Sequence, residues 1–488
     1  MRVLEINTRV WIKRFADNIK LGEVPSSYFQ ELVTLGFDAV WLMGVWKTCP
    51  NIIKKCCFTS ELVSSYSKSL TDWTEADVIG SPFAIDDYLI NPSLGTEEDL
   101  TELKTKLNRF GLKLFLDFIP NHFSAGTHLL DDYPEIFLYT EDDSADKDPF
   151  AFFYHKNMND KSFAHGRDPL FPPWTDTVQV NFFSEKARRF LIDKIIDLTR
   201  LCDGLRCDMA MLPLNNVFNN TWMGIISKQK LSKPRSEFWH EAISEVRKLK
   251  HDFIFIAEAY WDLEWQLQQL GFDFTYDKRL TDKLAGTDVF DIKLHLMADI
   301  NFQKKSVRFL ENHDEPRAIE KYGPEKSLAA ATIINTIPGM KLIYDGQMEG
   351  KKIKLPVQLG REPDEKSSSK VYNFYLRLFE ITKTEIFTKG EWELREPVSA
   401  GGGNQSFHNF LAWSWRLADQ LILVIVNYSD LLSQCRIRLN LETKKNKLAL
   451  IDLLTNQVYL RLRSEIANPG LYVELKGFQA HIFYLSDK

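Results

Sequence analysis

GLRCDMAML, residues 204–212, decides how this chain is read. A short apolar approach ends in Arg206 and Asp208, two positions apart. Along a strand, residues i and i+2 face the same side, so a guanidinium and a carboxylate are set side by side where a buried strand should end. Three other stretches carry a related signature. FLDFIPNHF (115–123) is an apolar run that reaches Asp117, Asn121 and His122; FIFIAEAYW (253–261) ends on Glu258; FLENHDEPR (309–317) places His313 and Asp314 just after a strand. Any one of these acids, taken alone, reads as a cap for the following helix.

Their surroundings give them a common frame. The runs 37–43, 112–118, 253–259, 307–312 and 340–346 are apolar on both faces, as strands of a covered parallel sheet are. Helical patterns lie between them. In residues 95–111, Thr96 is an N-cap, acids fill the first turn, Leu100, Leu103, Leu107 and Phe110 share one face, and Gly111 follows the end. Residues 184–200 repeat the arrangement with Ser184 as cap. Alternating strands and helices spell βα units, and the spacing of about 30 residues per unit predicts a (β/α)8 TIM barrel.

Two regions do not fit that rhythm. From Asp117 to Asp208 is 91 residues with one clear helix, 184–200, which leaves room for a subdomain inserted after the third strand. Beyond about residue 385 the helical patterns stop, and short strands such as 409–416 and 421–427 predict a C-terminal antiparallel β-sandwich. The expected layout is barrel over 1–122, inserted subdomain over 123–178, barrel again over 179–385 and β domain over 386–488.

Composition narrows the class. The chain has 488 residues, a formal charge of −6 and 44% hydrophobic residues, so it lacks the basic footprint of a nucleic-acid binder and the basic runs suited to an anionic membrane. Neither a signal-peptide stretch nor a membrane span is present, and the six cysteines match neither a disulfide framework nor a zinc site; the expected location is cytoplasmic.

In a closed parallel barrel all C-terminal strand ends share one face, so Asp208, Glu258 and Asp314 are expected in one mouth. Crowded carboxylates suit glycoside cleavage, where one stays ionised to attack carbon and another holds a proton for the leaving oxygen. Arg206 is expected to lower the pKa of Asp208, the nucleophile. The apolar flank of Glu258 (Ala257, Ala259, Tyr260, Trp261) is expected to raise that of the acid. Asp314 is left to stabilise an oxocarbenium-like transition state, and His122 and His313 to hydrogen-bond sugar hydroxyls.

The four stretches, in this order and with these gaps, resemble the signature regions of the α-amylase family of glycoside hydrolases; GSPFAIDDYLINPSLGT (80–96) and IPGMKLIYDGQMEG (337–350) resemble two more of its segments. The resemblance implies Asp208 as nucleophile, Glu258 as general acid/base and Asp314 as transition-state stabiliser. It implies Arg206, His122 and His313 as substrate contacts, Phe83 as the ring stacking under the sugar, and Asp117 as a structural orienter. The implied reaction is retaining cleavage of α-glucosidic, mainly α-1,4, bonds in a maltooligosaccharide or α-glucan. No cofactor is needed for the chemistry. Asn121 matches the family's calcium-ligand asparagine, its alternative role being hydrogen bonding within its loop. Three departures stand out: Phe83 where Tyr is usual, Ala84 where many exo-acting members carry an acid, and Met211–Leu212 where typical α-amylases carry Lys–His. The alternatives are an α-glucosyl transferase or isomerase of the same family, and an inactive amylase-like binding protein.

Overall fold

Eight parallel strands close into a barrel in the computed structural model, which describes residues 1–486 apart from 157, 440 and 442–444; residues 440, 442–444 and 487–488 of the β domain expected over 386–488 lie outside them. The strands are β1 (Arg2–Asn7), β2 (Ala39–Met43), β3 (Lys113–Phe118), β4 (Gly204–Cys207), β5 (Ile254–Ala257), β6 (Phe274–Tyr276), β7 (Ser306–Arg308) and β8 (Met340–Tyr344). Apart from the closing pair β1 and β8, neighbours in the closed order β1-β8-β7-β6-β5-β4-β3-β2 are also neighbours in the chain. Leu42 pairs with Leu116, and Leu205 with both Leu116 and Phe255, all buried. This explains why these strands read as unbroken apolar runs.

The expected strands are present, and most are shorter than their apolar runs. The run through 259 is strand only to Ala257, and the run 307–312 is strand only to Arg308. The catalytic candidates therefore sit just past strand ends, where the backbone turns out of the sheet. The expected caps are formed. Thr96 accepts from the Asp99 N–H while Asp99 accepts from the Thr96 N–H at 2.8 Å, and Ser184 accepts from the Ala187 N–H. Leu100, Leu103 and Leu107 form the buried stripe.

The chain divides into two compact units. One comprises residues 3–276 and 354–364. Between β3 and β4 it carries a two-stranded sheet, His122–Ser124 with Thr177–Gln179, and a three-stranded sheet of Tyr139–Thr140, Met158–Ala164 and Phe152–His155. Its 354–364 segment is held by cations from the first βα connection: Arg9 donates to the Val357 carbonyl, Lys13 to that of Gly360, and Arg14 to the Glu362 carboxylate.

The other unit comprises residues 1–2, 277–353 and 365–488. Its C-terminal part pairs a six-stranded antiparallel sheet with a three-stranded one around Leu423, Ile425, Cys435, Val473 and Phe483. The Trp413 and Trp415 indoles both donate to the Thr336 carbonyl, at 3.0 and 2.6 Å, and Tyr428 donates to the Leu284 carbonyl at 2.6 Å. All six cysteines are free thiols; Cys56 is half-buried and the rest are buried. Among the described residues no helix is long and apolar enough to cross a membrane.

Candidate active site

Strand β4 sets the geometry. Gly204 opens it where a Cβ would lie 2.5 Å from the Ile254 carbonyl and 2.9 Å from the Phe115 ring, so no larger residue fits between β3 and β5. Arg206 then stands level with Asp117 on β3 and Ile256 on β5. Asp208 and Glu258 each lie one residue beyond their strands. They are fixed there by backbone bonds: Asp208 N–H to the Phe118 carbonyl at 2.8 Å, Glu258 N–H to the Cys207 carbonyl at 3.0 Å.

Arg206 joins the two acids. Its Nη1 donates to Asp208 Oδ1 at 2.7 Å, and its Nη2 lies 2.8 Å from Glu258 Oε2. The second contact is an ion pair off the hydrogen-bond line, since Nη2 lacks an aligned acceptor. The guanidinium is buried between the rings of Trp41, Phe83 and Tyr276, centred 5.1, 5.5 and 5.7 Å away, and Nε donates to the Tyr276 hydroxyl. A planar cation among ring faces with two carboxylates at its fork is a site that lysine could not fill.

Asp117 occupies the orienting position. It accepts from the Trp41 indole at 3.1 Å and the Gly44 N–H at 3.2 Å, its carbonyl accepts from the Trp46 indole, and Arg206 Nη1 lies 3.7 Å from its Oδ1. His122 is buried. Its ring bonds the Phe83 backbone and packs 5.1 Å from Trp174, while Nδ1 has no partner among the described residues. Burial pushes the imidazole down to about 4, so it is neutral at neutral pH.

The expected effect on Asp208 is reversed. Burial, and next the charge of Glu258, outweigh the guanidinium and push Asp208 up from 3.8 to about 8. Asp208 therefore holds a proton in the free enzyme at neutral pH more readily than an exposed carboxyl does. The flank of Glu258 also differs from the expectation of an apolar wall. The Tyr260 hydroxyl donates to Oε1 at 2.8 Å, and the Met209 N–H donates to Oε2 at 2.7 Å. Spacing alone does not reveal these donors, because both depend on how the chain turns after the strand. Met211 and Leu212 are buried, beside the Ala210 carbonyl that accepts from the Trp239 indole.

His313 and Asp314 belong to the other compact unit. There His313 Nε2 lies 3.0 Å from Asp314 Oδ2, the Asp314 side chain is 51% exposed, and Asn312 Oδ1 accepts from the N–H groups of Asp314 and Glu315. The turn is clamped by Glu311, which accepts from Arg317 at 2.7 Å and from the Ala318 N–H.

A calcium ion at Asn121, the family role set beside hydrogen bonding within the loop, does not fit the residues present. Asn121 and Gln179 exchange amide bonds: Gln179 Nε2 donates to Asn121 Oδ1 at 2.9 Å and to its carbonyl at 3.0 Å, and Asn121 Nδ2 donates to Gln179 Oε1 at 3.2 Å. Both side chains are buried, and the oxygens a cation would need already hold N–H donors. Among the described residues no group of three or more His, Cys, Asp or Glu forms a metal cage.

A family model described as the catalytic domain of alpha amylase matches residues 27–373. The chain belongs to the α-amylase family of glycoside hydrolases. Within the family it is similar to Alpha-amylase 3 of Dictyoglomus thermophilum, 23% identical over 86% of this chain and 83% of that one. It also resembles an intracellular maltogenic amylase of Bacillus subtilis, 22% identical over 75% and 58%. Among solved structures, the maltogenic α-amylase AmyB from Thermotoga neapolitana superposes with a TM-score of 0.70 at 18% identity, covering 100% of this chain and 98% of that one. An acarbose complex of the Geobacillus thermoleovorans α-amylase gives 0.67 at 16% identity, covering 100% and 98%. These likenesses support the same barrel and the same C-terminal sheet domain.

Proposed function

We propose that this α-amylase-family enzyme hydrolyses α-glucosidic, mainly α-1,4, bonds of maltooligosaccharides or α-glucans with retention. Asp208 is the nucleophile, Glu258 the general acid/base and Asp314 the transition-state stabiliser. Arg206, His122, His313 and Phe83 contact the sugar. The observation that carries this reading is the single guanidinium in contact with both Asp208 and Glu258. Sharing one fork favours the short carboxyl separation of retaining enzymes, about 5–5.5 Å, over the roughly 6.5–9.5 Å of inverting ones.

In the first step Glu258 carries the acid proton and Asp208 is the anion. Asp208 bonds to the anomeric carbon as the glycosidic bond breaks, and the Glu258 proton passes to the departing oxygen. In the second step Glu258 takes a proton from water, whose oxygen attacks the same carbon and releases Asp208. Arg206 keeps the sites of developing carboxylate charge solvated in a dry pocket. Neutral His122, with Nδ1 unpartnered, suits a sugar hydroxyl better than a charged group. The free thiols and the similarity to enzymes named intracellular maltogenic amylases support a reducing, cytosolic setting.

The test is digestion of maltoheptaose and of maltose, with the anomer first released followed by NMR. Short α-anomeric maltodextrins are expected. Products longer than the substrate or rearranged disaccharides would point to glycosyl transfer, and β-anomers would overturn retention. Asp208→Asn should lower kcat/KM by at least about 10³-fold with the fold intact; a variant at the wild-type rate would remove Asp208 from the mechanism.

A further inference from the structure

We propose that Tyr260 is a positioning residue that holds Oε1 of Glu258, the oxygen left to carry the proton, and stabilises the charge left there when the proton departs. This deepens the glycosidase reading above and rests on it.

The argument begins with the two oxygens of Glu258, which are in unlike surroundings. Oε2 faces the Arg206 guanidinium at 2.8 Å and accepts from the Met209 N–H at 2.7 Å. A proton on Oε2 would be directed at two donors, so Oε2 stays bare. Oε1 meets the Tyr260 hydroxyl at 2.8 Å. A phenol leaves a second lone-pair direction of Oε1 free for the acid proton and donates to Oε1 as it becomes anionic. Hydrogen bonds to a charged acceptor are about twice as strong as neutral ones, so the contact strengthens along the proton-transfer coordinate, as transition-state stabilisation requires.

The backbone is bent to make this contact. Leu263 N–H closes a turn onto the Tyr260 carbonyl at 3.2 Å, and both intervening residues are left-handed, Trp261 at φ +64° and Asp262 at φ +65°. Such turns ordinarily use Gly, Asn or Asp, so Asp262 is suited to its place and Trp261 is not. A Trp held in this region is strained backbone, and the turn folds the chain back immediately after Tyr260. Met209, the other donor to Glu258, is also left-handed at φ +42°. Strained backbone on both sides of one carboxylate places a donor on each of its oxygens.

Tyr260→Phe removes one oxygen atom and keeps the ring. It is compared with wild type on maltoheptaose, whose leaving group needs a proton, and on α-maltosyl fluoride, whose fluoride departs without one. The expected result is a fall in kcat/KM of about tenfold or more on maltoheptaose and under about threefold on the fluoride. The high-pH limb of kcat/KM for maltoheptaose should move up by about one unit, because a donor to the ionised form is gone. Equal losses on the two substrates with an unmoved limb would make Tyr260 merely structural and overturn the proposal, as would no loss on either. Wild-type enzyme inert on both substrates would overturn the glycosidase reading itself.

Discussion

On the proposed mechanism, Asp208 is one carboxyl group asked to be buried, adjacent to another acid and ionised at the moment of attack. The sign of its effect on stability follows from its rise from 3.8 to about 8. The folded state binds the proton more tightly than the unfolded chain does. The contribution of this group is therefore fully present below pH 3.8 and is lost progressively as pH rises towards 8. Asp208→Asn removes a group that must otherwise ionise in the dry pocket. Relative to wild type, that variant should melt higher at pH 8 than at pH 5, even as it loses turnover. A difference of melting temperatures that does not change with pH would mean that Asp208 is already ionised in the free enzyme. At this scale the sequence was informative where the decisive partner lay two residues away, as Arg206 does from Asp208. It was silent where the partner came from another element. Gln179 approaches Asn121 from 58 residues away, and nothing in either local pattern announces the pair. The outcome at Asp208 also depended on magnitudes: the nearby cation was legible, while the burial that overcomes it was not.

The β strands explain why the site is legible at all. Parallel strands covered on both faces must be apolar throughout, so a charged residue at the end of one is conspicuous. Glu258 one step past Ala257 and Asp208 one step past Cys207 are both such residues. What the pattern could not show was where each strand stops, because buried loops beyond the ladder stay apolar: Phe309 and Leu310 are buried yet outside β7. The packing of β4 between its neighbours gives a prediction at this scale. Gly204→Ala would drive a methyl group into the Ile254 carbonyl and the Phe115 ring. It should destabilise the enzyme by about 1–3 kcal/mol through overpacking, read as a lower denaturation midpoint with unchanged slope. A variant as stable as wild type would show that β4 can shift without cost.

For the molecule as a whole, two kinds of staple replace what other proteins obtain from metals or disulfides. The first is the Asn121–Gln179 amide exchange. Chelation with EDTA should leave both activity and melting temperature unchanged, whereas Gln179→Ala should cost about 1–3 kcal/mol by stranding buried polar atoms. A fall in activity on chelation that calcium reverses would show that these oxygens do take a cation. The second is the pair of indoles from the C-terminal sheet on the Thr336 carbonyl. Trp413→Phe with Trp415→Phe leaves that carbonyl without its donors and should lower the melting temperature by several degrees; an unchanged transition would assign the anchoring to apolar packing alone.

The distribution of thiols has a practical consequence. Five of the six are buried, and only Cys56, bonded weakly to the Thr175 carbonyl at 3.7 Å, reaches the surface in part. A native-state maleimide reaction should therefore stop near one dye per chain, attached at the helix Pro50–Cys56, and Cys56→Ser should abolish the labelling. The unmodified enzyme then offers a ready fluorophore site on the second-strand connection, from which movement of that connection during turnover could be followed by quenching.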